Sequence, residues 1–72
     1  MEKNQIDDIA YFISFCLEMY KNAHAISGAE AAIVFTDNGV MEYLSENFEV
    51  LHTQSPDWIL AEIEDYIKSD IK

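Results

Sequence analysis

QIDDIAYFISFCLEMYKNAH, residues 5–24, decides the fold class, because its apolar positions recur at spacings of three and four. Ile6, Ile9, Ile13, Cys16, Leu17, Tyr20 and His24 fall along one side of a helix, the period of 3.6 residues that an α-helix imposes on a buried face. Phe12, Phe15 and Met19 form a second apolar stripe beside the first. Asp7, Asp8, Ser14, Glu18, Lys21 and Asn22 are left for solvent. A helix that is apolar on two sides belongs at the centre of a bundle, and the other elements are expected to pack around it.

Working outward, Ser27 opens a capping box. Its hydroxyl can accept from the amide of Glu30 while the Glu30 carboxylate reaches back to the Ser27 amide. A second helix is expected to start there and run through Ala29, Ala31, Ala32, Ile33, Val34 and Phe35 to Asp37 or Asn38, its alanines allowing a neighbouring helix close approach. Gly39 supplies the left-handed residue that commonly follows a helix end. Val40 to Asn47 reads as a short third helix. Phe48-Glu49-Val50-Leu51-His52 consists of β-compatible residues without a turn signal, so a short extended segment is expected there, and a lone strand would need a partner such as a second copy. Ser55-Pro56-Asp57 combines a cap, a proline at the first helical position and an acid facing the positive end of the helix dipole. The last helix follows to about Asp70. Ile59, Ile63, Tyr66 and Ile67 form its buried stripe, Leu60 and Ile71 flank it, and Glu62, Glu64, Asp65 and Lys68 point outward. Trp58 either plugs the core or anchors an interface. The expected fold is therefore mainly α: a compact bundle of about four helices with one short extended segment near Phe48–His52, and residues 1–72 as one small domain.

Between Asn22 and Ile67 there is no lysine or arginine, while Glu30, Asp37, Glu42, Glu46, Glu49, Asp57, Glu62, Glu64 and Asp65 all lie inside that stretch. The chain has 14 acidic residues against 4 lysines and a formal charge of −10. Such a surface repels nucleic acid and anionic membranes and draws cationic partners. Half of the residues are hydrophobic, too many for a disordered acidic tail. At this length a chain without metal or disulfide is near the lower limit for folding alone, so a homodimer or a protein partner is a natural expectation. Repulsion among the carboxylates should make the melting temperature rise as salt is added at neutral pH. A flat or falling melting temperature between low and moderate salt would show that the acids are compensated locally.

One cysteine, Cys16, permits no intrachain disulfide and no cysteine-cluster metal site. The amino terminus lacks a signal-peptide pattern and no stretch reaches the roughly 20 apolar residues of a membrane span, so an unexported, cytoplasmic protein is expected. Cys16 lies in the apolar stripe, where core packing explains it better than nucleophilic chemistry. His24, at the end of the first helix, suits the helix dipole better than a metal. Asp7-Asp8 and Glu62-x-Glu64-Asp65 read as solvated charge, because a helix spreads adjacent residues around its axis. Asp37-Asn38-Gly39 resembles part of a calcium loop, but placing Gly39 sixth puts Val34 at a position that needs an oxygen. No phosphate loop, dinucleotide fingerprint, zinc pair or nucleophile elbow is present, so no cofactor, metal or catalytic residue is expected. The helix pair from Ser27 to Asn47 has the outline of a helix-turn-helix, yet its second helix would bring Glu42 and Glu46 to the phosphates with no basic residue to offset them.

Leu51-His52-Thr53-Gln54 gathers hydrogen-bonding groups just before a helix start, beside the acids of the third helix. Glu42, Glu46, Glu49, His52, Thr53, Gln54 and Trp58 are therefore the candidate interaction residues. Two uses are open. One is an acidic, non-enzymatic protein interaction module that meets a basic surface. The other is a small-ligand-binding or catalytic accessory domain built on the His52-Thr53-Gln54 loop with Tyr43 or Trp58.

Phe15-Cys16-Leu17-Glu18-x-Tyr20-Lys21, Ile26-Ser27-Gly28, Gly39-Val40-x-x-Tyr43-Leu44 and Val50-Leu51-His52-Thr53-Gln54 together carry a resemblance over essentially the whole chain. The chain resembles the short bacterial proteins catalogued as domain of unknown function 3791. That resemblance implies small cytoplasmic proteins, often from gut bacteria, some encoded beside ADP-ribosyltransferase-like proteins. It implies no catalytic residue, and the neighbourhood suits an antitoxin-like or accessory subunit.

Overall fold

A computed structural model describes residues 5–70, with side chains described from 7 to 69. The side chain of Ile6, placed in the first apolar stripe above, and Ile71, placed beside the last one, lie outside that description. The chain forms α1 (Gln5–His24), α2 (Gly28–Asp37), α3 (Val40–Glu46), α4 (Phe48–Leu51) and α5 (Pro56–Asp70), so the mainly α bundle is what the sequence indicated. α1 lies against α2, α3 and α5, the central place its two apolar sides suggested.

The buried residues form one cluster: Phe12, Cys16 and Tyr20 from α1, Ala31 and Phe35 from α2, Val40 and Leu44 from α3, Leu51 from α4, and Ile59 and Ile63 from α5. The inward face of α1 is thus centred on Phe12–Cys16–Tyr20, with Cys16 and Tyr20 from the expected stripe and Phe12 from the second one. Ile9, Ile13 and Leu17 are half-buried and His24 is exposed. Ile13 and Leu17 pack as a second layer against the cluster. When two adjacent stripes are both apolar, side-chain volume in the assembled core decides which turns inward. The large rings of Phe12 and Tyr20 fill the centre, with Tyr20 lying 5.5 Å from Phe35.

Each helix boundary has a local cause. The Ser27 amide donates to Glu30 Oε1 at 2.9 Å and the Glu30 amide donates to Ser27 Oγ at 3.1 Å, which completes the capping box. Gly39 stands between α2 and α3 at φ 67°, the left-handed region expected of it. Ser55 Oγ accepts from the Trp58 amide at 3.3 Å, so α5 begins with Pro56 in its first turn.

The end of α1 is closed in a way the sequence does not announce. Ala25 sits at φ 54°. Its amide donates to the Asn22 carbonyl and the Ile26 amide donates to the Lys21 carbonyl, the paired bonds of a Schellman motif, while Ile26 packs against the core. This position normally takes glycine, since a Cβ there costs roughly 1–2 kcal/mol. Ala25→Gly should therefore raise stability by about 1 kcal/mol, read as a higher urea midpoint with an unchanged slope. An unchanged or lower midpoint would mean that the left-handed turn is not strained.

The extended segment expected at Phe48–His52 is instead the helical turn α4. The amides of Val50 and Leu51 both donate to the Asn47 carbonyl, and the His52 amide donates to Phe48. Among the described residues no strand exists to pair with this segment. A helical turn satisfies its amides locally and sends Leu51 into the core, leaving Val50 exposed, so packing overrides the β-preference of the residues. Glu62 and Glu64 also depart from the outward placement. Both are half-buried, and each holds another helix: Glu62 accepts from Tyr43 Oη at 3.3 Å, and Glu64 lies 2.9 Å from His24 Nε2.

Candidate functional site

The site begins at the junction of α3 and α4. Asn47 Nδ2 donates to the Tyr43 carbonyl at 2.9 Å and closes α3, while the Asn47 carbonyl starts the next turn. That turn brings Phe48 edge-on to Phe12 with ring centres 5.5 Å apart. His52 then lies flat on Phe48 at 4.5 Å with 13° between the planes. Buried Leu51 anchors the turn from below.

These rings form one wall of a groove. The other wall is α1, which presents Asp8, Tyr11, Phe12 and Phe15, positions i, i+3, i+4 and i+7 of one helical face. Glu49, Gln54, Pro56 and Ile59 complete it, enclosing about 760 Å³. Tyr11 is 77% and Phe15 40% exposed, an unusual exposure of aromatic surface for a chain this small. Among the described residues the lining contains two carboxylates, Asp8 and Glu49, and no lysine or arginine.

Of the candidate residues, Glu49, His52 and Gln54 line this groove, and Glu42, Glu46, Thr53 and Trp58 do not. Thr53 Oγ1 donates to the Val50 carbonyl at 2.9 Å, and the backbone N–H of Gln54 donates to the Leu51 carbonyl, so the loop partly satisfies its own backbone. Trp58 is 43% exposed and does not plug the core. Glu42 and Glu46 are exposed on α3. Tyr43 is engaged elsewhere: its ring stacks on Tyr66 at 4.2 Å and its hydroxyl donates to Glu62. Desolvation, then the Glu62 carboxylate, raises the Tyr43 hydroxyl above its ordinary range. Sequence reasoning missed Tyr11 and Phe15 as site residues. For Phe15 the signal was present in the second apolar stripe of α1; Tyr11 lay outside both stripes and left none.

The titratable groups with chemical potential are otherwise engaged. Cys16 is fully buried, and burial pushes its thiol up to about 12, away from thiolate reactivity. His24 stacks on Tyr20 at 4.2 Å and contacts Glu64. Among the described residues no group of three or more His, Cys, Asp or Glu is arranged to hold a metal, and no helix is long and apolar enough to cross a membrane. What the groove can do is bind: it offers aromatic surface for burial, a stacked imidazole, the Gln54 amide and negative charge at one place.

No curated protein and no solved structure matches the chain. Residues 11–70 match the family described as protein of unknown function (DUF3791), a span that includes the capping box, the groove lining except Asp8, and all of the core residues named above. The chain belongs to the DUF3791 family.

Proposed function

We propose that this chain is an acidic, non-enzymatic protein interaction module of the cytoplasm, an antitoxin-like or accessory subunit for a neighbouring protein with a basic surface. The observation that carries the reading is the groove between α1 and α4, whose walls expose the rings of Tyr11 and Phe15 and whose charged lining residues, among those described, are carboxylates. Aromatic side chains supply most of the energy at protein contacts. A net charge of −10 speeds and orients the encounter with a cationic partner. Glu49, His52 and Gln54 in the groove, together with Glu42, Glu46, Thr53 and Trp58 outside its lining, are the residues that would meet the partner in this reading.

A volume of about 760 Å³ also lies in the range of small-molecule sites, and His52 and Gln54 face it together, which favours ligand binding as the second reading. Thr53 turned back to its own backbone subtracts from that reading. Nucleic acid is disfavoured by the same charge, since α3 exposes Glu42 and Glu46.

Affinity purification of the tagged chain from the cells that make it, paired with light scattering of the purified protein, tests the proposal. Recovery of a basic partner whose association slows as salt rises is the expected result. Recovery of no partner, together with a monomeric mass, would remove the reading.

A further inference from the structure

We infer that the groove between α1 and α4 is a seat for one amphipathic, basic helix of the partner protein, with Tyr11 and Phe15 as the surfaces on which its apolar anchors rest. The inference rests on the interaction-module reading and specifies the element that binds. Three observations select this occupant.

The groove wall of α1 is a helical stripe spaced i, i+3, i+4 and i+7, about two turns or 10 Å long, with buried Phe12 at its base and Tyr11 and Phe15 exposed above it. Such a stripe is the complement of another helix whose side chains fall into its spaces. Its opposite side is already used, because Cys16 and Tyr20 pack inward while Tyr11 and Phe15 remain open. An extended peptide has less to gain here, since the described residues contain no strand and offer no sheet edge for backbone pairing.

Charge fixes the sign of the partner. The stretch from Asn22 to Ile67, which supplies the α4 wall, carries nine carboxylates and no lysine or arginine, and the chain as a whole has a charge of −10. A helix with apolar residues on one face and Lys or Arg at its borders would meet both features at once. A second copy of this chain meets only the first, because each copy brings a charge of −10 to the same contact.

The test selects displayed helices of about 20 residues, with apolar anchors on one face and Lys, Arg, Glu and Gln varied at the borders, for binding to the full chain. Net-positive helices should be enriched. Their affinity should fall more than about tenfold on the Tyr11→Ala/Phe15→Ala chain, and measurably on Tyr11→Ala alone, whose side chain is mostly in solvent and leaves the fold intact. Ile33→Ala, an exposed position of α2 outside the groove, should change nothing. Circular dichroism confirms that each variant is folded. No enrichment, enrichment of neutral or acidic helices, or binding indifferent to the α1 substitutions would each overturn the inference. A light-scattering dimer that Tyr11→Ala dissociates would overturn it too, by giving the groove to a second copy. The two readings fail separately. A purified basic partner that binds the Tyr11→Ala/Phe15→Ala chain as tightly as the wild type leaves the module and removes the helix seat, whereas absence of any partner and any enriched helix removes both.

Discussion

Phe35→Ala should destabilise the protein by about 3–5 kcal/mol, the cost of deleting a fully buried aromatic side chain and leaving a cavity. Phe35 is 0% exposed and belongs to the cluster that all five helices share. At roughly 0.05–0.15 kcal/mol per residue, a chain of this size has a total stability of about 4–11 kcal/mol. The substitution therefore removes a large fraction of it, and a measurable unfolded population at room temperature is expected. The urea midpoint followed by circular dichroism at 222 nm is the appropriate measure, because half-exposed Trp58 reports weakly on the core. Phe35→Leu, which retains most of the volume, should lose much less. A loss below about 1 kcal/mol for the alanine variant would contradict the packing described for α2.

The second large effect is alkaline. The Cys16 thiol ionises near 9.0 when unburied, and burial pushes it up to about 12 in the fold. Below pH 9 the folded and unfolded chains both keep the proton, and the contribution of burying the neutral thiol is whole. As the pH climbs from 9 toward 12 the unfolded chain ionises and the folded one does not, so stability falls by on the order of 4 kcal/mol across that interval. Tyr43, raised by desolvation and by Glu62, acts in the same direction above pH 10. Cys16→Ala removes the thiol and keeps the tyrosine contribution. Its urea midpoint should accordingly fall less steeply than that of the wild type between pH 8 and pH 10. Parallel declines would show that Cys16 keeps no proton advantage in the fold.

What the sequence revealed was the part governed by short-range chemistry. The capping box at Ser27 and Glu30, the left-handed Gly39 and the Ser55-Pro56 start each involve neighbours within a few residues, and each appears at the expected atoms. Long-range packing was less legible. Nothing within Phe48–His52 tells that Leu51 will be drawn into a core assembled from four other helices, and that burial turns β-compatible residues into a helical turn. His24 and Glu64 are 40 positions apart, so their contact has no local trace, and Glu62 looked like solvated charge until Tyr43 reached it. Ala25 was hidden for the opposite reason: its backbone is unusual while its residue type is ordinary.

The candidate site divides along the same line. His52, Gln54 and Glu49 were visible as a polar cluster next to a helix start, and the groove includes them. Its other wall lies some forty residues earlier, where Phe12 and Phe15 were counted in an apolar stripe and Tyr11 was assigned to no face. A stripe of apolar residues on a helix shows that something covers it, and the bundle shows that for Tyr11 and Phe15 the cover is not another part of the described chain.

The locally closed turns also bear on how the chain reaches its fold. The Schellman end of α1, the Ser27 box and the Gly39 turn set the direction of α2 and α3 from contacts spanning only a few residues. Little loop-closure entropy stands between the collapsed chain and these helical hairpins, and the topology belongs with those that fold in microseconds to milliseconds. The docking of α3 and α5 onto α1 joins more distant parts of the chain, which makes the gathering of these helices the natural bottleneck of the search.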